Sequence, residues 1–461
     1  MIDLTKETLS SLADLIQSGF ASSEEVLRAH FERIEQLNPK LNAVVTLAHD
    51  AMEKAKAADV ARAKGEVIGP LHGVPLTVKD TIDTAGLRTT SGSAIRADHV
   101  PAYDAPAVAR LKAAGAIILG KTNTAEMAMD YTTENPVFGR GNNPFDLSLT
   151  TGGSSGGEAA AIATCMSPGG IGSDLAGSIR IPAHFCGVAG LKPTVGRVPG
   201  EGQCPAAFGP YSLGAVIGPM ARSVRDLKLL FGVLAGIEPS TSVTEPKLDA
   251  TTRVAFYTDD GVAPVTAETR QVVENTATAL AEAGLQVKEK RPPGIALGHE
   301  LWLNIFSRAT VILLRNFYDG NEDKGGDFVR WRLKTADDTP TPSLDEYISL
   351  WRQRDWVRNT LVEWMSEFPL MILPVGATPA YAHGTLKVNV GNTTMNTFRA
   401  FSYSQTFNVF DLPVAVVRAG RTKDGLPVGV QIVGRPFAED TVLAAAAIIE
   451  EALGGWSLPA V

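Results

Sequence analysis

The sequence predicts an α/β fold, a single large α/β/α sandwich in which one mixed sheet is covered by helices on both faces. Three observations lead there. Helix-like and strand-like patterns alternate along most of the chain, as layered α/β folds require. No repeat, low-complexity segment or linker divides the 461 residues, so one domain over 1–461 is expected. The composition, 44% hydrophobic and 20% charged, is that of a globular chain with a sizeable core.

Taken in order, residues 5–18 and 22–37 read as amphipathic helices. Leu9, Leu12, Leu15 and Ile16 recur at helical spacing and Gly19 punctuates the end. Ser22 and Glu25 have capping-box spacing ahead of Val26, Leu27, Phe31 and Ile34. A third helix is expected over 48–64, stopped by Gly65. Residues 73–78 read as a buried strand with Lys79 and Asp80 at its mouth. A helix over 105–114 and a strand over 116–119 follow. Residues 223–234 read as a helix, and 253–257, 268–282 and 285–289 as strand, helix and strand. Residues 371–374 form a strand. Residues 412–417 and 428–433 form a strand pair with Asp424-Gly425 in the turn. A last helix covers 438–453. Residues 295–400, which hold five of the six tryptophans, are expected to be a helical elaboration shaping a pocket. Within it, 319–327 and 335–342 are expected as mobile loops.

Charge and cysteine usage exclude several classes. The net charge is −8 with no basic block, so no nucleic-acid surface is indicated. Three cysteines without a C-x-x-C pair argue against a disulfide framework or a thiolate metal site. The seven histidines are scattered, with no pair at metal-ligand spacing, so no metal is expected. The N-terminus lacks a basic region followed by an apolar run, and no window reaches the ~20 apolar residues of a spanning helix. A cytoplasmic enzyme that does not engage a membrane is expected.

The chemistry concentrates in 152–183. G-G-S-S-G-G-E-A-A-A opens it and G-S-D-L-A-G-S-I-R-I-P-A closes it. Two small-residue turns each present a serine beside backbone N–H groups, as acyl transfer requires of a nucleophile and an oxyanion hole. Residues 152–157 are flanked by a helix former and by apolar sequence, which argues against a flexible linker. Two other motifs compete. Residues 115–122, G-A-I-I-L-G-K-T, match the phosphate-binding loop literally. The four residues between the glycines are strand-like, however, and a helix precedes them, so the match is rejected. Residues 152–157 also satisfy G-x-S-x-G, the nucleophile elbow of Ser-His-Asp esterases, which would draw on His184, His299 or His383. That reading leaves the turn at Ser178 unexplained.

The blocks at 73–80, 120–122, 143–146, 152–158 and 172–182, in this order, resemble the amidase signature family of serine hydrolases, and the resemblance covers nearly the whole chain. It implies the amidase signature fold and hydrolysis of a linear amide, with esters, anilides and carbamates also within reach. It implies Ser178 as nucleophile, Ser154 as bridging proton relay after a cis Gly153–Ser154 bond, and Lys79 as base. An unperturbed lysine, with a pKa of about 10.4, is protonated at neutral pH, so the base needs burial without a carboxylate partner. Asp80 is adjacent, but neighbouring strand residues face opposite ways. The resemblance further implies an oxyanion hole of Leu175, Ala176, Gly177 and Ser178 N–H groups. Ala176 stands where glycine is commoner. Met127, Ala128, Met129 and Tyr131 are implied to line the substrate pocket, with Ser155, Asp174 and Arg180 in support. No cofactor is implied. The expected partner is a small-molecule amide, and a homodimer is compatible with this reading. The alternative from another class is the glutaminase or acyl-transfer subunit of a tRNA-dependent amidotransferase.

Overall fold

A computed structural model of the chain describes residues 2–237, 246–335 and 342–461. Its strands are β1 (Val44–Leu47), β2 (Pro75–Lys79), β3 (Ile117–Thr122), β4 (Gly169–Asp174), β5 (Ala189–Lys192), β6 (Val216–Ala221), β7 (Arg253–Phe256), β8 (Gln286–Glu289), β9 (Leu370–Pro374), β10 (Lys387–Val390), β11 (Thr393–Asn396), β12 (Val414–Arg421) and β13 (Pro427–Gly434). Eleven of them form one sheet in the order β1-β3-β2-β4-β6-β5-β12-β13-β9-β7-β8, and β10 and β11 form a separate hairpin. The sheet is mixed. β2 runs parallel to β3 and β4, whereas β4–β6, β5–β12 and β12–β13 are antiparallel.

The central strands are apolar on both faces because both faces carry helices. In β12, Ala415 and Val417 join one core cluster while Val414 and Val416 join the other. In β9, Leu370 and Ile372 alternate with Met371 and Leu373 in the same way. The period of two that a strand imposes thus divides one sheet between two cores.

The helical expectations hold with shifted ends. The capping box of Ser22 and Glu25 is formed at the start of the helix Ser23–Leu41. The first helix begins only at Leu9, because the Thr8 hydroxyl caps it by accepting the Ser11 N–H. The 319–327 segment is a turn containing a short 3-10 helix, Glu322–Lys324, and leads into the helix Asp327–Lys334. Of the 335–342 loop expectation, residues 336–341 lie outside the described residues.

β4 departs from the sequence reading. Its sequence, Gly-Gly-Ile-Gly-Ser-Asp, has little strand propensity and reads as a turn. Tertiary space decides otherwise. A Cβ on Gly170 would lie 2.3 Å from the Thr77 carbonyl oxygen, and one on Gly172 2.7 Å from Ser155 Oγ. The strand is glycine-rich because β2 and the serine turn press against it. The same crowding gives a stability test. A Cβ on Gly157 would meet Asn123 N at 2.4 Å and Asn123 O at 2.5 Å, backbone atoms that cannot swing aside. We expect Gly157→Ala to lower stability by about 1–3 kcal/mol in chemical denaturation. Gly232→Ala, whose Cβ meets nothing within 4 Å in the helix Val224–Ala235, should leave the midpoint unchanged or raise it.

Candidate active site

Lys79 ends β2 and is wholly buried. Its Nζ donates to Ser154 Oγ at 2.6 Å and to Ser173 Oγ at 2.9 Å. Burial favours the uncharged amine and outweighs the opposing pull of Asp174 and Glu158, bringing the Lys79 pKa down to about 7. Asp80 turns away, its Oδ2 accepting from the Thr90 N–H at 3.0 Å and the Thr90 hydroxyl at 2.5 Å. Glu158 faces the other way into the fold and accepts from the hydroxyls of Thr77 and Thr122. Burial raises its carboxyl to about 7.

Ser154 follows a cis Gly153–Ser154 peptide. A Cβ on Gly153 would stand 2.5 Å from the carbonyl oxygens of both Asp130 and Thr132, so a bare backbone is needed there. Ser178 is 5% exposed, and among the described residues its hydroxyl has no hydrogen-bond partner. The Ser155 N–H donates to the Ser178 carbonyl at 3.1 Å, which joins the two serine turns through the backbone. The Ser155 hydroxyl donates to the Ser173 carbonyl at 3.3 Å. The structure therefore brings Lys79 and Ser154 into direct contact and joins the turn of Ser154 to Ser178 through the backbone, without a hydroxyl–hydroxyl bond.

The 174–178 loop is held peptide by peptide. Trp302 Nε1 donates to the Leu175 carbonyl at 2.9 Å, and the Tyr131 hydroxyl donates to the Ala176 carbonyl at 2.9 Å. The Gly177 N–H, on the same peptide as that second carbonyl, donates to Asp174 Oδ1 at 2.9 Å. Gly177 thus differs from the oxyanion-hole expectation, because its N–H is already engaged. Among the described residues, no group accepts from the N–H of Leu175, Ala176 or Ser178. Gly177 has φ +109, and a Cβ there would lie 2.7 Å from Ser404 Cβ. Ala176 is not among the left-handed residues, so alanine fits where glycine is commoner.

Asp174 and Arg180 form a buried ion pair, Nη2 to Oδ1 at 2.9 Å and Nε to Oδ2 at 3.0 Å. Burial would raise the Asp174 carboxyl, but the Arg180 charge and the hydrogen bonds from Arg180 and Asn408 hold it well below the usual carboxylate range. Arg180 Nη1 also donates to the Ser404 carbonyl at 2.8 Å and Gln431 Oε1 at 2.6 Å, and Nη2 to Asn408 Oδ1 at 2.5 Å.

A cavity of about 250 Å³ opens beside the loop. Met127, Ala128, Met129 and Tyr131 line it, together with Asp130. Ser173, Leu175 and Ala176 also line it, as do the aromatic side chains of Trp302, Phe328, Trp331 and Phe398, the last of these 4.8 Å from the Tyr131 ring between centroids. Met127 and Ala128 adopt left-handed backbone, φ 53 and 57, which non-glycine residues seldom do. The Met127 N–H is held by the Ser91 carbonyl at 2.8 Å.

Sequence reasoning missed Ser173, Asn408 and Gln431. Ser173 had a signal: a strand at 169–174 beside 75–79 would have set its hydroxyl near Lys79. The others come from segments more than 100 residues away and carry no local signal. The rejected motifs are explained by position. Lys121 lies on β3, with Nζ donating to the Ile82 carbonyl and to Thr84 Oγ1, so 115–122 presents no phosphate loop. The elbow finds no histidine. His184 Nδ1 accepts from the Gly429 N–H at 2.7 Å, His299 Nδ1 is paired with Gln405 Oε1 at 2.5 Å, and His383 Nε2 meets the Leu147 carbonyl at 3.3 Å. Among the described residues, no group of three or more His, Cys, Asp or Glu is placed to hold a metal, and no helix is long and apolar enough to cross a membrane.

Comparison with known proteins agrees in extent. The profile of the family described as Amidase matches residues 25–443. A subunit of the glutamyl-tRNA(Gln) amidotransferase of Heliobacterium modesticaldum is 33% identical, over 98% of this chain and 98% of that protein. The indoleacetamide hydrolase of Bradyrhizobium diazoefficiens is 31% identical, over 96% of this chain and 86% of its own length. A bacterial aryl acylamidase of solved structure superposes with a TM-score of 0.84 at 29% identity, covering 97% of this chain and 96% of that one.

The buried ion pair supplies a test. Arg180→Met leaves the Asp174 carboxylate buried without its counter-charge, and removing one partner of such a pair costs about 3–5 kcal/mol. We expect a correspondingly lower denaturation midpoint in that variant.

Proposed function

The chain belongs to the amidase family, and on that premise we propose that it cleaves the carbon–nitrogen bond of a small-molecule amide through an acyl-enzyme on Ser178. The observation that carries this reading is a wholly buried amine, 2.6 Å from Ser154 Oγ, with its pKa lowered to about 7. A lysine in that state is partly uncharged at neutral pH and can accept a proton. Uncharged Lys79 takes the Ser154 proton as Ser154 takes that of Ser178, and the Ser178 oxygen attacks the carbonyl carbon. The Ser154–Ser178 bond forms when substrate turns the free Ser178 hydroxyl inward, since catalytic hydrogen bonds are often loose in empty sites.

The developing negative oxygen is met by the N–H groups of Leu175, Ala176 and Ser178, which have no acceptor among the described residues. Gly177 then serves as a brace. The protons return along the same path to the departing amine. Water next adds to the acyl group by the reverse relay, and the carboxylic acid leaves. No step needs a metal or an organic cofactor. Ser155, Asp174 and Arg180 hold the turns in register.

The aromatic lining from the 295–400 elaboration suits an apolar or aromatic substituent, in line with the relatives named for indoleacetamide and for aryl acylamides. Anilides, esters and carbamates fit the same acyl-enzyme chemistry. Three unpaired cysteines, Cys165, Cys186 and Cys204, suit the reducing cytoplasm. A second reading rests on the similarity to the amidotransferase component, in which the chain would supply ammonia from glutamine inside a complex. The apolar cavity favours the first. Hydrolysis of aryl amides by the isolated chain supports it, whereas glutamine turnover that appears only with partner subunits supports the second.

Ser178→Ala and Lys79→Ala should each lower kcat by about 10³-fold or more while the protein stays folded by circular dichroism. Because the working form of Lys79 is the unprotonated one, kcat/KM should fall about tenfold per unit below a pH of about 7 and level off above it. A flat profile from pH 5 to 9 would reject Lys79 as the base.

A further inference from the structure

Glu126 belongs to no part of the chemistry above, yet it is a buried carboxylate, 5% exposed, in the short turn Glu126–Ala128. Among the described residues it forms no ion pair. Its two oxygens instead reach across to the helical elaboration. Oε1 accepts the Tyr318 hydroxyl at 2.7 Å and Oε2 accepts the Gly326 N–H at 2.8 Å. Burying a carboxylate is costly unless its oxygens are satisfied, and here both are.

The two donors bracket the 319–326 turn. Tyr318 is the last residue of the helix Arg308–Tyr318, wholly buried, with its oxygen also 2.7 Å from Ser93 Oγ. Gly326 is the N-cap of the helix Asp327–Lys334 and has no side chain to cap it. The Glu126 carboxylate accepts the N–H of this N-cap residue, the bond a capping-box glutamate makes, at the positive end of the helix. A Cβ on Gly326 would lie 2.7 Å from Glu126 Oε2, so glycine is what admits the carboxylate.

What lies on either side gives the contact its meaning. Met127 and Ala128, next in sequence to Glu126, line the cavity, and so do Phe328 and Trp331 of the Asp327–Lys334 helix. One side chain thus ties two lining segments together. Behind it, Met127 packs with Leu314, Tyr318 and Val329 in a separate small core.

We propose that Glu126 is a positioning residue for substrate selection: its carboxylate fixes the Asp327–Lys334 helix against the 126–131 segment and so sets the width of the substrate cavity. This rests on the reading that the cavity receives the substrate's apolar part.

The test compares wild type, Glu126→Ala and Glu126→Gln by amide hydrogen exchange over 319–334 and by kinetics on acetyl and phenylacetyl 4-nitroanilide. In Glu126→Ala, exchange in this segment should quicken. KM for the phenylacetyl substrate should rise about tenfold, equivalent to about 1.4 kcal/mol, with kcat little changed. KM for the acetyl substrate should stay close to wild type. Glutamine keeps an acceptor for the Gly326 N–H and can donate to a reoriented Tyr318 hydroxyl, so Glu126→Gln should restore both readouts. Should Glu126→Ala fail to fold, Tyr318→Phe, which removes one of the two contacts, is read in the same way. Unchanged exchange overturns the proposal, as does quickened exchange with the preference between the two anilides intact. If wild type cleaves neither anilide, the substrate reading fails separately, and the exchange data still decide whether Glu126 holds the helix.

Discussion

The buried Asp174–Arg180 pair is the joint on which the site is assembled. Taking two charges out of water is costly, and their attraction compensates only when the remaining donors and acceptors are also satisfied. That condition is met. All five guanidinium N–H groups have acceptors: Asp174 twice, then the Ser404 carbonyl, Gln431 and Asn408. The carboxylate in turn accepts from the N–H groups of Gly177 and Ile179 and from Asn408 Nδ2. One saturated pair therefore ties the end of β4, the loop carrying Ser178, the helix Ser402–Val409 and β13. The loop's geometry follows from this contact and from the Trp302 and Tyr131 bonds that hold its carbonyls.

Burial alone does not single out the candidate base. Lys79, Lys121 and Lys192 are all fully buried, and burial lowers their pKa values to about 7, about 8 and about 8. Their neighbours distinguish them. Lys192 Nζ donates to the Pro193 carbonyl at 2.9 Å, and Lys121 Nζ to the Ile82 carbonyl and the Thr84 hydroxyl. A carbonyl can hold an ammonium but has no proton to give, and the Thr84 hydroxyl beside Lys121 donates its own to the Ile82 carbonyl at 3.3 Å. Lys79 meets two hydroxyls, those of Ser154 and Ser173, and Ser154 lies on the turn whose Ser155 N–H donates to the Ser178 carbonyl.

Local chemistry made much of this legible in the sequence. Lys79 is singled out only through the resemblance to the family, whereas the glycine–serine turns and the helical periodicities each announce themselves within a few residues. β4 did not, because its glycines answer to the crowding of Thr77, Ser155 and Glu158 rather than to strand propensity. Asn408 and Gln431 were also hidden. Each meets Arg180 only after more than 220 residues of intervening chain. Gly177 was misjudged for a different reason: whether an N–H is free depends on where the Asp174 carboxylate turns, and no pattern of residue types reports that. In this amide hydrolase the residue types of the loop were readable and their orientations were not.

The two halves of the cavity have different origins. The lining from 127–131 and 173–176 adjoins the central strands and the serine turns, whereas Phe328 and Trp331 come from a helical stretch, Asp327–Lys334, that lies outside the sheet. Sequence drift in that stretch leaves the hydrogen-bonded frame of the sheet intact. A lineage built on this plan is free to change its diet by remodelling the Asp327–Lys334 helix, provided Trp302 keeps its hold on the Leu175 carbonyl.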